Sequence, residues 1–441
     1  MNILLSEPVV SSDWPKMISP PFRQHPWLRR LLLACGTFLA TDALAATKLQ
    51  LTHSLEIGAQ VKIVCFGDSV TGVYYHTGAR RAWCDLLGVA LSRLYPKSHV
   101  QMINAGVSGN DTAAALKRMG ADVLGLSPQL VVVMFGLNDV VRVPPESFRA
   151  NLGEIVKRSR DRSAEVILMT PNSIYPDDAR RPPSRVAQYA EIVRQVGQQL
   201  QVPVADCFRA YEEVRMVSRK GWVRLMSDAI HPNMRGHAVF AEEVAWTLSG
   251  RRTSMEEVPP LEPALPRVRS QIQARRPVRV VAMNPYDELI GPALQRAAPG
   301  LQVQVTAWDA DLKSLADIES QAKEIGWWRF RGNGAEKEKP DLVVVAVPAS
   351  ALAPDDEAFY RSYTWVLNWS LSFGTSGWDC IAILPSVASP ELGQGGQAAE
   401  RLALDVIRGQ DIPWLQRSRR DATPSQELLA RWLASLLGKP K

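Results

Sequence analysis

Short, mostly apolar runs alternate with amphipathic stretches from residue 61 to residue 248. The runs fall at 61–66, 100–104, 130–135, 166–170 and, more weakly, 202–206. Each is long enough for a buried strand and too short for most helices. Between them, residues 82–94, 112–124, 147–160, 185–200 and 236–248 read as helices. Apolar runs alternating with helical segments imply strands covered on both faces, so this pattern predicts an α/β domain over 48–250 with a parallel sheet. Ligands of such sheets sit beyond the carboxyl ends of the strands. Ser69 follows the first strand, Gly109 the second and Asn138 the third, so the three are expected along one edge.

The alternation stops and then restarts. Residues 251–277 are rich in Pro, Arg and Glu, and Pro259, Pro260, Pro263 and Pro266 oppose helix and strand, so the stretch reads as a linker. From 278 onward the segments parallel those of the first half in the same order. VRVVAMNPYDELI stands where VKIVCFGDSVTGV stood, and KPDLVVVAVPAS where SPQLVVVMFGLND stood. APDDEAFYRSYTWVL parallels PPESFRANLGEIV, DCIAILPSVASP parallels EVILMTPNSIYP, and QDIPWLQR parallels QVPVADCFR. Residues 278–441 are therefore expected to be a second α/β domain of similar layout, a diverged copy of the first. Asn284-Pro285-Tyr286 replaces Gly-Asp-Ser there, Ala349-Ser350 replaces Asn-Asp, and no histidine follows His237, so the copy lacks an imidazole base. Its aromatic-rich segment 359–373 suits sugar stacking, although the helical spacing favours core packing.

Composition adds bounds. The 441 residues suffice for about two to three domains. A net charge of +6 is mild at this length, and no nucleic-acid motif is present, so nucleic acid is not the expected partner. Cys35, Cys65, Cys84, Cys207 and Cys380 form no CxxC and no cluster with histidine, which argues against a disulfide framework; a Cys84–Cys207 pair stays open. Residues 1–26 are polar, Pro-rich and aperiodic, the signature of a disordered lead. Arg29 and Arg30, the apolar run 31–40 and Ala43-Leu44-Ala45 then describe a secretory signal peptide or N-terminal anchor over 27–45. That segment predicts a secreted, periplasmic or envelope location; if it is only a lead-in helix, the location is cytoplasmic.

The chemistry gathers around 61–76. A serine just beyond a buried strand, at a Gly-containing turn before a helix, is placed as an exposed nucleophile, and Ser69 occupies that position. Six histidines are present: His25, His53, His76, His99, His231 and His237. His231 alone lies in a Pro-containing loop before a helix, three residues after an acid. Asp228, at that spacing, can bond back to the imidazole and hold its tautomer, so His231 reads as base and Asp228 as its orienter. A turn capped by Asp and Asn would give the same residues without chemistry. Tyr74, Tyr75 and His76 either line a pocket or pack at the surface, the latter favoured, and His237 is expected to be structural. Asp68 and Asp139 are assigned to loop hydrogen bonding.

FGDSV at 66–70, NAGVSGNDT at 104–112, LVVVMFGLND at 130–139 and SDAIHPN at 227–233 together resemble the signature blocks of the SGNH, or GDSL-type, hydrolases, in that family's order. The resemblance covers about 61–248 and implies a flavodoxin-like parallel sheet. It also implies an oxyanion hole made by the backbone N–H groups of Ser69 and Gly109 and the side-chain amide of Asn138. Glycine lets the chain approach a substrate closely, and a neutral amide stabilises developing charge without competing for the proton. The sequence departs from many relatives at Leu137, where a second glycine is usual. The expected activity is hydrolysis of carboxylic esters, O-acetylated carbohydrate or lipid acyl esters, through an acyl-enzyme. The expected partner is a small-molecule or polysaccharide ester, with envelope association as an option. Rival readings are an acyltransferase using the same pair and a non-catalytic carbohydrate- or envelope-binding protein with a vestigial site. No cofactor and no metal are expected, because a serine mechanism needs neither. Activity should thus be unchanged after dialysis against a chelator, and its loss would contradict the serine reading.

Overall fold

A computed structural model describes residues 49–256, 258–327, 339–371 and 377–438. The expected lead and signal segment, 1–26 and 27–45, lie outside the described residues.

The run around residue 64 forms β1 (Gln60–Gly67). Ile63, Val64, Cys65 and Phe66 are fully buried on it. β2 (His99–Gly106) pairs with one side of β1 and β3 (Leu130–Met134) with the other, both parallel. β4 (Glu165–Met169) and the short β5 (Val204–Ala205) extend the sheet beyond β3. The order β2-β1-β3-β4-β5 is flavodoxin-like and reverses direction at β1, which opens a crevice between the ends of β1 and β3. All five residues of β3 are buried, as a central strand covered on both faces requires.

Helices Trp83–Leu94, Thr112–Asp122, Pro145–Arg160, Pro183–Leu200 and Met234–Ser249 stand where helical spacing predicts them. Asp111 accepts the Ala114 N–H at 2.9 Å and starts the second of these; Asn233 accepts Arg235 N–H at 2.9 Å and Gly236 N–H at 3.2 Å and starts the last.

The second half repeats the plan. β6 (Val278–Met283), β7 (Val303–Trp308), β8 (Leu342–Val345), β9 (Asp379–Ile383) and β10 (Trp414–Leu415) form another parallel sheet, ordered β7-β6-β8-β9-β10. This is the first sheet's order with each strand replaced by its counterpart, as the sequence parallel implies. The linker departs from expectation. Helix Pro266–Gln273 forms inside 251–277, because proline at a first helical position has its φ already set and no N–H to lose. Cys65, Cys84, Cys207 and Cys380 are free and buried. Cys84 neighbours Cys65, so the Cys84–Cys207 pair left open by the sequence does not form.

The two sheets belong to one compact unit. Arg81 pairs with Asp411 at 2.8 Å with both side chains nearly inaccessible to water. Asp405 takes Arg224 at 2.5 Å and Arg235 at 2.8 Å, and Met234 N–H donates to Gly409 C=O at 2.9 Å. These contacts flank the helix that follows His231, so the second half bears on the loop carrying the expected base.

Candidate functional site

β1 ends at Gly67, where a side chain has no room: its Cβ would lie 2.1 Å from Thr71 Oγ1 and 2.6 Å from Met134 C=O. The chain turns there, with Asp68 C=O accepting Thr71 N–H at 3.2 Å and Gly72 N–H at 3.0 Å. Asp68 Oδ1 accepts Val70 N–H at 2.9 Å. Arg118 fastens the neighbouring strand ends, donating to Gly67 C=O and Ala105 C=O at 2.9 Å each. Ser69 is lifted out of this turn, partly exposed.

Its Oγ lies 2.9 Å from His231 Nε2. His231 Nδ1 lies 2.7 Å from Asp228 Oδ2. The other carboxylate oxygen, Oδ1, accepts Ile230 N–H at 2.8 Å and His231 N–H at 2.7 Å, so Asp228 shapes the loop and holds the ring at once. A carboxylate on Nδ1 keeps the proton there and leaves Nε2 as acceptor toward the Ser69 hydroxyl. Burial pushes the Asp228 carboxyl up, but the His231 charge and the bonds from His231 and Tyr75 outweigh it and hold the group well below the usual carboxylate range. Burial likewise works to lower the His231 value, yet Asp228 outweighs it and the net shift is upward.

The loop after β3 reaches the same place. Asn138 Nδ2 donates to Asn110 C=O at 2.9 Å and faces Asp68 Oδ2 at 3.4 Å. Its carbonyl end is fixed by the buried Arg181, whose Nη2 donates to Asn138 Oδ1 at 3.3 Å and whose Nε donates to Leu137 C=O at 2.8 Å. The departure at Leu137 thus leaves the Asn138 amide held. Gly109, with φ +75°, is exposed, and a Cβ placed on it would meet nothing within 4 Å. Ser108 N–H donates to Tyr74 Oη at 2.8 Å, which ties the loop after β2 to the segment following Ser69. Asp139 Oδ1 accepts Thr112 N–H at 2.9 Å and Thr112 O–H at 2.5 Å, a loop role like that of Asp68. Burial pushes both carboxyls up to about 6.

Three groups take roles that the sequence alone does not assign to them. Tyr75 is not surface packing: its O–H donates to Asp228 Oδ2, and its ring stacks on Trp365 with centroids 6.1 Å apart. Trp365 stacks in turn on Trp369 at 5.6 Å, so the aromatic segment of the second half props the Asp228 side of the first. His76 is fully buried, its ring parallel to His231 at 4.6 Å. Tyr75 and His76 sit in a one-turn 3₁₀ helix, Tyr75–Thr77, too short to leave a periodic trace. Arg181 lies in a polar loop with nothing to single it out from Arg180.

Known proteins share this stretch of chain. Residues 65–239 match the GDSL-like Lipase/Acylhydrolase family. The chain is 26% identical over 208 residues to an acetylxylan esterase from Geobacillus stearothermophilus, a match covering 42% of this chain and 93% of that protein. It is 27% identical over 195 residues to an arylesterase from Vibrio mimicus, covering 43% and 89% respectively. The solved structure of the Geobacillus stearothermophilus acetylxylan esterase aligns at 26% identity, over 44% of this chain and 96% of that one, with a TM-score of 0.39.

Proposed function

We propose that the carboxylic ester hydrolysis supported by the SGNH/GDSL-type hydrolase segment at residues 65–239 works through Ser69, His231 and Asp228 with an acyl-enzyme intermediate. Ser69 Oγ attacks the ester carbonyl carbon while His231 Nε2 takes its proton. The carbonyl oxygen becomes an oxyanion, held by Ser69 N–H, Gly109 N–H and the Asn138 amide. As the tetrahedral centre collapses, His231 gives the proton to the departing alkoxide and the acyl group stays on Ser69. Water, deprotonated by His231, then releases the acid and restores the serine. The observation that carries this reading is the Ser69–His231–Asp228 chain, continuous at 2.9 and 2.7 Å.

The substrate is proposed to be a short-chain ester, an O-acetyl group on carbohydrate before a lipid acyl ester, in line with relatives named acetylxylan esterase and arylesterase. The test is a series of nitrophenyl esters of rising acyl length beside acetylated oligosaccharides, with an organophosphate used to tag the nucleophile. The reading expects acetyl esters to be turned over fastest and the phosphoryl mass to appear on the peptide containing Ser69. Tagging elsewhere, or a long-chain optimum, sinks the corresponding part. Transfer of acetyl to an added alcohol in preference to water would move the assignment to an acyltransferase. The segment at 27–45 supports export to the envelope or beyond. Among the described residues, no helix is long and apolar enough to cross a membrane.

Residues 278–441 are proposed to be a non-catalytic copy that steadies the catalytic loop. Asn368, fully buried on helix Asp356–Ser370, accepts the Ser227 O–H at 3.1 Å and donates to the Ser227 carbonyl at 3.1 Å. Ser227 is the residue before Asp228. Asn368→Ala would leave both Ser227 groups buried without this partner, at a cost of about 1–3 kcal/mol. A lower urea midpoint and a kcat reduced about tenfold are expected; unchanged values in both would remove Asn368 from this role.

A further inference from the structure

Three imidazoles line up behind the nucleophile, and the hydrogen-bonding roles at the two ends of the line are fixed by backbone groups. Trp83 N–H donates to His237 Nδ1 at 3.1 Å. His237 Nε2 lies 3.4 Å from His76 Nδ1, and His76 Nε2 lies 3.0 Å from the carbonyl oxygen of Ser69. A backbone N–H only donates, so His237 Nδ1 carries no proton and a neutral ring must carry it on Nε2. That proton faces His76 Nδ1, which must accept, so the His76 proton also sits on Nε2. It points at a carbonyl, which only accepts. Starting from the Ser69 end gives the same tautomers, so the two ends agree independently.

We propose that His76 and His237 are positioning residues: a tautomer-locked relay that anchors the carbonyl of Ser69 and lays a neutral imidazole face against the His231 ring. The inference rests on Ser69 and His231 acting as nucleophile and base. Anchoring the Ser69 carbonyl fixes the backbone torsion next to the carbon that carries the hydroxyl, and so fixes the direction of attack. The face matters when His231 takes the proton. His76 and His231 are parallel within 7°, with centroids 4.6 Å apart, so the new imidazolium lies on the π face of an uncharged ring. A second cation there would oppose the proton transfer.

The relay works only while both rings are neutral. An extra proton on His237 would turn Nδ1 into a donor against Trp83 N–H; one on His76 would set two N–H groups against each other. Both side chains are fully buried. Burial first, and then the His231 charge, hold His237 down at about 3. For His76, burial and the charges of His231 and His237 lower the value, against smaller upward pulls from Asp228 and the Ser69 carbonyl, and it ends well below the ordinary histidine range.

Two measurements test the relay. In nitrogen-15 NMR of the resting wild-type enzyme, His76 and His237 are expected as Nε2–H tautomers that do not titrate from about pH 5 upward, the window in which an ordinary histidine changes charge. His76→Phe keeps a flat ring but loses the donor, so kcat should fall about 10²-fold with KM unchanged, as for a mispositioned reacting group. His76→Gln, which can offer an amide N–H to the same carbonyl, should recover part of the loss. An Nδ1–H tautomer on either ring, titration of either within that window, or a folded His76→Phe enzyme with wild-type kcat overturns the relay. The tautomers are read without substrate, so they decide even if a variant fails to fold. Activity surviving in Ser69→Ala would instead overturn the hydrolase reading, and the two failures are distinguishable.

Discussion

Ser69→Ala is expected to lower kcat for nitrophenyl acetate by about 10⁵–10⁶-fold while leaving the fold intact. The size follows from what the hydroxyl does. Without it, no acyl group can be taken up, and His231 has only water to activate at a site shaped for a bound nucleophile. What survives is the contribution of the oxyanion donors and substrate binding, about 10³–10⁴-fold over water in comparable serine hydrolases. The fold should hold because Ser69 is partly exposed and its Oγ contact is the 2.9 Å approach to His231 rather than a packed core interaction. Gly67 and the Asp68 carbonyl bonds, which shape the turn, are untouched. The measurement is a paired one: steady-state turnover and the urea midpoint, with loss of organophosphate labelling as a second sign. A variant that keeps more than a few per cent of wild-type turnover would show that another group attacks the ester, and would favour the non-catalytic or vestigial reading of this serine.

The elements legible in the sequence are those whose signal is local. β3 is an unbroken apolar run and β1 is apolar from Ile63 to Phe66, because both faces of a central strand are covered there, and the turn after β1 announces itself through Gly67. The spacing of Asp228 and His231 is equally local, since the carboxylate reaches back within one loop. Helix Cys207–Val217 has no such signal: it buries only Cys207 and Tyr211, too few apolar positions to mark a stripe. Helix Pro266–Gln273 hides behind its own first proline, which reads as a breaker unless it stands at the start of a helix. The support of the site is the part that no local pattern carries. Tyr75 meets Asp228 across 153 residues, and Asn368 meets Ser227 across 141. His76 and His237 are equally silent, because a lone histidine in a loop or on an apolar helix face has no spacing that reveals a partner. Only the fold places one against the other and both behind Ser69.

Asp228→Asn should also be severe, although less so than losing the nucleophile, and in a way that pH reveals. The asparagine carbonyl can still accept Ile230 and His231 N–H groups, which lie at 2.8 and 2.7 Å from the carboxylate, so the loop should keep its shape. Its amide, however, would turn donors toward Tyr75 O–H and His231 Nδ1, where the carboxylate accepts. His231 would then have to leave Nδ1 unprotonated and carry its proton on Nε2, aimed at the Ser69 hydroxyl. A base with its proton already on the working nitrogen cannot take another, and a loss of about 10⁴-fold in kcat is expected, as for a buried triad aspartate replaced by asparagine. The sign of the pH effect is set by the same interaction. Burial lowers the His231 value, and Asp228, aided by Asp68, raises it past the ordinary 6.5. Only the neutral imidazole is a base, so wild-type kcat/KM should be full at high pH and fall as pH drops through a midpoint above 6.5. With the Asp228 charge gone, burial is opposed only by Asp68, and the acid limb of the residual activity should move to lower pH. Profiles of kcat/KM for both proteins check this. A limb that stays in place, or moves upward, would mean that some group other than Asp228 governs the protonation of the base.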